Sequence, residues 1–254
     1  MRWAGVNSIW GMSQIIGPGA SCVPGDDNSA MKVRTQSKKV DKAWLNRHVN
    51  DTYVKLAQKE GYRARAAYKL KEIDEALGLV RPGDQVVDLG STPGAWSQYL
   101  RRRLSPGGAA TGALHGRIVA LDLLPMEPIE GVHFIQGDFR EQAVLEQLEQ
   151  ALLAGGGASQ LDLVVSDMAP NLSGIDSADA ARMAHLVELA VDFAVRHLKP
   201  GGSLVAKVFH GASYDESARL FQQHFKLVKK IKPKASRPQS AENFLVGLGL
   251  KVPA

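Results

Sequence analysis

The sequence has little of what several common protein classes are built from. Its 254 residues include one cysteine, Cys22, so no disulfide can form within the chain and no cysteine cluster can bind a metal. This predicts a cytoplasmic protein without a metal site. Aromatic residues make up only 6% of the chain, which disfavours an aromatic-rich all-β architecture. No stretch approaches the roughly 18 apolar residues of a membrane span, so no membrane association is expected.

What is present indicates an α/β protein with a polyanionic partner. The hydrophobic fraction is 44%, which is enough for a well-packed core, and the length suits one sizeable domain with modest additions. The formal net charge of +5 favours binding to a nucleic acid. Charge alone does not decide the matter, because a basic enzyme with a small substrate has the same balance.

The N-terminal part differs from the rest of the chain. Residues 1–30 are interrupted by glycine and proline and show no hydrophobic period, so we expect a disordered tail, with Met31 as an alternative native start. Residues 31–62 are rich in lysine and arginine, with three aromatic residues interleaved. Such an arm suits phosphates and stacked bases, although a solvated helical arm with its aromatic residues in the core explains it equally well. Residues 63–254 are predicted to form a single domain.

Short apolar segments alternate with helical patterns along that domain. Alternation of this kind predicts a mostly parallel, Rossmann-like sheet with right-handed crossovers. The last two strands have no helix between them, so they are expected to pair antiparallel at a sheet edge. The predicted strands are 85–89, 117–121, 133–136, 161–166, 203–209, 226–231 and 244–248. The predicted helices are 65–77, 96–104, 141–153, 180–198 and 214–224.

Acidic residues follow the first three of these strands. The first strand contains Asp88 and leads through a glycine turn into a helix, Asp122 ends the second strand, and Asp138 follows the third. In doubly wound folds such acids bind ribose hydroxyls and the adenine amino group. Aspartate also caps many strands and turns, but three successive positions argue for a nucleoside-containing cofactor. The glycine fingerprint that a nicotinamide cofactor needs is missing.

Further charged residues lie later in the domain. Asp167 closes the fourth strand, and Lys207 lies within an apolar strand, where an unpaired lysine is costly to bury, so a functional role is favoured over a solvent-facing one. Glu242 starts the last strand and is unremarkable by itself, because strand onsets often carry exposed acids. The basic run 229–237 reads either as a solvated loop or as a phosphate-binding segment. Lys69 lies beside the apolar stripe of the first helix.

Six segments of the chain resemble the FtsJ (RrmJ) family of ribosomal RNA large-subunit ribose 2′-O-methyltransferases. The resemblance covers roughly residue 55 to the C-terminus. Ala95 departs from it, because members often have glycine there, and so does the long loop 105–116. The segments that carry it are Arg63-Ala64-Arg65-Ala66-Ala67-Tyr68-Lys69-Leu70, Val87-Asp88-Leu89-Gly90, Asp122-Leu123-Leu124-Pro125-Met126, Gln136-Gly137-Asp138-Phe139, Ser166-Asp167-Met168-Ala169-Pro170-Asn171 and Lys207-Val208-Phe209.

The resemblance implies a class I fold that binds S-adenosylmethionine, with a seven-stranded sheet whose C-terminal strand is antiparallel. It implies 2′-O-methylation of a ribose, that of a uridine, in the 23S RNA of the large ribosomal subunit. Apart from the resemblance, we expect a monomer in the cytoplasm. The implied catalytic set is Lys69, Asp167, Lys207 and Glu242. The implied cofactor contacts are Gly94, Trp96, Asp122, Asp138 and Asp167.

Our mechanistic hypothesis makes Lys207 the base that removes the hydroxyl proton, acting in its neutral form beside the cation of Lys69. Asp167 and Glu242 would orient the two lysines. In an alternative, Lys207 stays charged and steers the hydroxyl while the proton leaves to water. Other functions remain open from the sequence: methylation of transfer RNA or of a messenger RNA cap, a non-catalytic RNA-binding factor of ribosome assembly, and a nicotinamide-dependent dehydrogenase, which the missing fingerprint disfavours.

Overall fold

The computed structural model describes residues 20–24, 31–35, 50–154, 160–211 and 213–252. It divides into two units, Met1–Arg65 and Ala66–Ala254. None of the helices in the described part is long and apolar enough to cross a lipid bilayer.

In the first unit, strand β1 (Ala20–Pro24) pairs antiparallel with strand β2 (Met31–Thr35). Strand β1 thus falls within the segment expected to be disordered; the pairing satisfies backbone groups and needs no hydrophobic period. The rest of residues 1–30 lie outside the described residues. Helix α1 (Thr52–Glu60) begins at the cap of Asp51, whose carboxylate accepts from two backbone amides, and ends at a left-handed Gly61.

The second unit is built around one sheet of seven strands with helices on both faces. Its strands are β3 (Gln85–Leu89), β4 (Arg117–Asp122), β5 (Val132–Gln136), β6 (Leu161–Ser166), β7 (Leu198–Phe209), β8 (Phe225–Ile231) and β9 (Glu242–Leu250). Its helices are α2 (Ala67–Leu77), α3 (Ala95–Arg103), α4 (Gln142–Leu153), α5 (Asp176–His197) and α6 (Tyr214–His224).

The strand order is β5-β4-β3-β6-β7-β9-β8. Strands β3 to β7 pair in parallel, and β9 runs antiparallel to both of its neighbours, which confirms the fold predicted from the sequence. The chain adds strands outward from β3 to β5 and then returns to add β6 on the other side of β3. The order therefore reverses between β3 and β6, and open α/β sheets bind their ligands at the carboxyl ends of the strands at such a point.

Two boundaries differ from the predicted ones by four residues or more. Strand β7 begins at Leu198 rather than Ser203, because a register shift lets Leu198 pair with Leu161 before the regular ladder starts. Helix α5 begins four residues before the predicted start. Its apolar face is buried in the core, where Met183, Ala190 and Phe193 lie.

The two faces of the sheet have different partners. Val87 and Leu89 of β3 pack in one hydrophobic core with residues of α4, α5 and α6. The residue between them, Asp88, points to the opposite face, where its carboxylate accepts from Ser97 of α3. That second face is the one on which the predicted catalytic residues lie.

The long loop before β4 is an exposed excursion, as expected. Arg101 of α3 anchors it from within: the guanidinium is buried and donates to the carbonyl oxygens of Ala109, at 3.0 Å, and Gly112, at 2.7 Å. This excursion lies apart from the predicted catalytic residues. In the second glycine- and alanine-rich loop, residues 155–159 lie outside the described residues.

Candidate active site

The turn after β3 lies where the strand order reverses, and at Gly90 no side chain covers its backbone. Gly90 has a φ of 76°, and a Cβ there would lie 2.7 Å from the backbone nitrogen of Met168, in the segment that follows β6. The amide of Asp167 donates to the carbonyl of Leu89 at 3.0 Å, so the two strand ends are joined. Gly94, with a φ of 103°, then starts α3. A larger residue at position 90 has no room.

Asp122 ties this turn to the next strand end. One carboxylate oxygen accepts from the amide of Thr92 and the other from the amide of Leu124, both at 2.8 Å. Each oxygen keeps a lone pair for a further donor. Asp122 is half-buried, which leaves it accessible to a ligand in the crevice. This position fits the ribose-binding role that the resemblance implies.

Asp138 has a local partner. Arg140 approaches both carboxylate oxygens with its side chain, at distances of 2.6 to 3.1 Å, and its backbone amide donates to one of them. These hydrogen bonds to Arg140 hold the pKa of Asp138 below its ordinary value. The carboxylate is therefore an acceptor at neutral pH, and the exposed Arg140 side chain is its partner.

Trp96 is a structural residue as well as a predicted cofactor contact. Its side chain is 2% exposed, its Nε1 donates to the carbonyl of Ala66 at 2.8 Å, and its ring lies 5.7 Å from that of Phe244. The indole thereby fixes the start of α2 and a residue of β9 against α3. Its backbone lies in the first turn of α3.

Lys207 and Asp167 form the first of two ion pairs. The Lys207 Nζ lies 3.0 Å from a carboxylate oxygen of Asp167 and 2.5 Å from its backbone carbonyl oxygen. The side chain of Lys207 is 8% exposed, and the two contacts compensate the charge of its ammonium. The burial and pairing expected of this lysine are thus present.

Lys69 and Glu242 form the second ion pair. The Lys69 Nζ donates to Glu242 Oε2 at 2.6 Å, and the other carboxylate oxygen, Oε1, accepts from the Ser236 hydroxyl at 2.8 Å. Both charged side chains are largely buried. Ser236 lies in the predicted basic run, where the surrounding lysines drew attention away from a small hydroxyl, so no sequence signal identified it.

The sheet register places the two pairs on one face. Lys207 lies opposite Phe244, and Phe209 lies opposite Glu242, in the antiparallel pairing of β7 with β9. Directly opposed residues share a face, as do residues two apart on one strand. The Lys69 ammonium lies 5.9 Å from the centre of the Phe244 ring. The four predicted catalytic residues, 173 positions apart at the extremes, therefore come together beside α2.

The sequence marks Asp88 only as a strand-end acid, whereas the structure shows a buried carboxyl group with a shifted pKa. It is fully buried, and burial is the main cause that raises its pKa to about 7, helped by the nearby carboxylates of Asp167 and Asp122 and opposed by the hydrogen bond from Ser97. The apolar residues on either side of it were the available signal, since an acid inside such a run has to be buried.

The charges and the open backbone of the crevice show which of two cofactors, a dinucleotide or S-adenosylmethionine, fits it better. Asp88, Asp122 and Asp167 interact electrostatically at the carboxyl edge, and Gly90 leaves the backbone open to a close approach. A dinucleotide brings a pyrophosphate, which this acidic edge would repel, whereas the cationic methionine part of S-adenosylmethionine suits it. In the described part of the chain, no cluster of three or more histidine, cysteine or acidic residues is arranged to hold a metal. The fold and site define a nucleoside-dependent α/β transferase.

Comparison with known proteins agrees with that class. The family model of the FtsJ-like methyltransferases matches residues 62–250. A protein of Delftia acidovorans named ribosomal RNA large subunit methyltransferase E is 72% identical, over 87% of this chain and 100% of its own length. A relative of the same name in a Polaromonas species is 71% identical, over 87% of this chain and 89% of its own length.

A solved structure extends the agreement to the fold. The crystal structure of a protein of Plasmodium falciparum, described as a ribosomal RNA methyltransferase, has a TM-score of 0.64 and 26% sequence identity, and covers 74% of this chain and 98% of its own. The chain belongs to the FtsJ-like methyltransferase family. It is a methyltransferase that uses S-adenosylmethionine as its methyl donor.

Proposed function

We propose that this protein methylates the 2′-hydroxyl of a uridine ribose in 23S RNA, with the large ribosomal subunit as its substrate, as a monomer in the cytoplasm. The observation that carries the proposal is the pair of buried lysine–carboxylate contacts beside an acid-lined crevice. The proteins that are about 70% identical bear the name of a large-subunit RNA methyltransferase, which supports the choice of substrate.

The crevice residues hold the cofactor in this proposal. Asp122 accepts from ribose hydroxyls, Asp138 from the adenine amino group, and the backbone at Gly94 and Trp96 admits the cofactor to the first turn of α3. Asp167 lies at the boundary between the cofactor and the acceptor, because its carboxylate pairs with Lys207. S-adenosylmethionine supplies, when bound, a methyl group that its sulfonium makes electrophilic.

Lys207 removes the proton of the ribose hydroxyl. A hydroxyl of this kind is not ionised at neutral pH, so a positioned base has to accept its proton late in the transfer. Asp167 holds the Lys207 nitrogen at 3.0 Å and thereby fixes where the base stands. As a base, Lys207 accepts the hydroxyl proton on its neutral amine and becomes the ammonium that pairs with Asp167.

Lys69 stays charged and faces the acceptor nucleotide. Glu242 compensates its ammonium at 2.6 Å, so that the cation is tolerated in a largely buried place. The lysines thus have separate carboxylate partners, Asp167 for one and Glu242 for the other, and the two roles of steering and proton removal are divided between them.

RNA phosphates are bound by two basic segments. The run 229–237 lies at the end of β8 and in the loop before β9, and the side chains of Lys229, Lys232 and Lys234 are exposed. Lysine and arginine of residues 31–62 make the second segment. Neutralised phosphates release counterions, so binding weakens steeply with salt.

One labelling experiment tests the reaction and the substrate together. The protein is incubated with methyl-labelled S-adenosylmethionine and with large subunits that lack the modification, free ribosomal RNA, or bulk transfer RNA. We expect label in a ribose of the large-subunit RNA. Label in transfer RNA alone would overturn the substrate, and a bound cofactor with no label in any RNA would favour the assembly-factor function.

The pH dependence of single-turnover methylation tests the base. We expect the rate to rise between neutral and alkaline pH, because deprotonation of Lys207 creates the acceptor. A rate that is flat across this range would assign Lys207 to steering the hydroxyl, with the proton leaving to water.

A further inference from the structure

We propose that Ser236 is a positioning residue for Glu242, and that Glu72 of α2 holds the loop on which Ser236 acts. The inference rests on the proposed function, because it concerns the same reaction. Ser236 is uncharged, and Glu72 is one of several acids along α2, so no pattern in the sequence marks either residue as part of the site. Both are assigned by the contacts that they make.

Ser236 fixes the orientation of the Glu242 carboxylate. The serine is 5% exposed and its hydroxyl donates to Oε1 at 2.8 Å, while the Lys69 ammonium donates to Oε2 at 2.6 Å. With a separate donor on each oxygen, the carboxylate plane cannot turn. Lysine is a flexible partner with three rotating donors, so the serine is the more rigid of the two constraints.

Glu72 anchors the loop that carries Ser236. Its two carboxylate oxygens accept from the consecutive backbone amides of Lys234, at 2.5 Å, and Ala235, at 3.0 Å. The loop is also closed on itself, because the amide of Ser236 donates to the carbonyl of Pro233 at 2.9 Å. Charge-assisted hydrogen bonds to two neighbouring amides fix both the position and the orientation of a turn.

These contacts close a ring. Lys69 and Glu72 are three residues apart on α2 and therefore lie on the same side of the helix. Lys69 contacts Glu242, Glu242 contacts Ser236, and the loop of Ser236 returns to Glu72. Helix α2 thus fixes the position of Glu242, the partner of its own Lys69, through the loop that Glu72 holds.

The ring also links RNA binding to the catalytic residues. Lys232 and Lys234, on either side of Pro233, are exposed and belong to the segment that we assign to phosphate binding. The Lys232 ammonium also donates to the carbonyl oxygens of Pro238 and Ser240 at 3.3 and 3.0 Å, so Lys234 is the better placed of the two for a phosphate. Ala235 and Ser236, the next two residues, are buried against α2 and Glu242. One short turn therefore places the exposed Lys234 side chain outward and the Ser236 hydroxyl inward, so that the same turn holds a phosphate bound at Lys234 and the carboxylate of Glu242.

The test compares serine variants at saturating cofactor and large subunits. Ser236→Ala is expected to lower the single-turnover rate about tenfold, the size of one hydrogen bond to a charged group, with the cofactor Kd unchanged. Ser236→Thr keeps the hydroxyl and is expected to restore most of the rate. Ser217→Ala is the matched control, since Ser217 is a buried serine of α6 whose hydroxyl donates to the Ser213 carbonyl at 3.1 Å.

Glu72→Gln completes the test, with the exposed Glu75→Gln on the same helix as its control. A glutamine replaces one of the two carboxylate oxygens by an NH2 group, which faces a backbone N–H and cannot accept from it. We therefore expect a lower rate together with a higher KM for subunits. In a Glu242→Gln background, Ser236→Ala is expected to change the rate little, because the two residues act as a unit.

The outcomes separate this inference from the proposed function. A wild-type protein that labels no RNA overturns the function, and the role of Ser236 with it. If the wild type labels its RNA but Ser236→Ala is as fast, only the positioning role is overturned. The same holds if threonine fails to restore the rate, or if the rate loss follows a fall in Tm that Ser217→Ala shares.

Discussion

The two halves of the site are built in opposite ways. In the cofactor half, each strand-end acid has a partner close in sequence: Asp138 binds Arg140, and Asp122 binds the amide of Leu124 as well as that of the more distant Thr92. The acceptor half uses partners far apart, with 173 positions between Lys69 and Glu242 and 40 between Asp167 and Lys207. Local geometry is therefore sufficient for much of the first half, whereas the second exists only when the whole sheet has formed.

The comparison predicts that the two halves can be damaged separately, and the largest effect belongs to Lys207. Lys207→Ala is expected to lower the single-turnover rate by about 10²- to 10⁴-fold, the usual contribution of general base catalysis, while the cofactor Kd stays the same. Lys199→Ala is the control, because Lys199 also pairs with an aspartate, Asp162, but near the amino end of β6. An equally weakened cofactor affinity would show that the halves are not independent.

Gly90→Ala should damage the other half. The new Cβ would lie 2.7 Å from the Met168 backbone nitrogen, on a residue with positive φ, so the turn has to shift. We expect the cofactor Kd to rise about tenfold or more, measured by calorimetry. Gly78→Ala is matched to it, with a φ of 64° but no atom within 4 Å of the added Cβ. Gly78→Ala should lower Tm without changing the cofactor Kd. A similar cofactor Kd in both variants would contradict the steric argument.

Asp88 and Asp138 should give stability opposite dependences on pH. The pKa of Asp88 is raised from 3.8 to about 7 in the folded state, so folding takes up a proton between these values and the residue's contribution to stability falls as pH rises. The Tm of Asp88→Asn minus the Tm of the wild type is thus expected to increase from pH 4 to pH 7. The pKa of Asp138 is lowered by Arg140 in the folded state. The Tm of Asp138→Asn minus the Tm of the wild type should therefore decrease as pH rises through the acidic range. Equal slopes in the two variants would contradict the assignment.

The smallest effect is expected at a single surface lysine. Lys234→Ala should weaken RNA binding a few-fold and reduce the slope of log Kd against log salt by about one, as for one lost phosphate contact. The chemical rate at saturating RNA should not change, because the backbone amide that binds Glu72 remains. An unchanged slope would remove Lys234 from the phosphate-binding segment.

Several elements followed directly from patterns in the chain. The strands Gln85–Leu89 and Leu161–Ser166 and the helix Tyr214–His224 were predicted to the residue, because a short apolar run or a helical period ended at a clear turn. Boundaries at Leu198 and Asp176 were missed, since pairing across a register shift and a loop-bounded helix start leave no local period. The roles of Lys69, Asp167, Lys207 and Glu242 came from family resemblance, and remain predictions.

The sequence by itself determined the α/β alternation, the acids at the strand ends and the basic run before the last strand, because each depends on residues adjacent in the chain. Only the tertiary structure decided that Lys69 faces Glu242, that Ser236 and Glu72 support this pair, and that Trp96 is buried against Phe244. The physical reason is the register of β7 with β9 and the packing of α2 on that face, which bring together side chains that no periodicity relates.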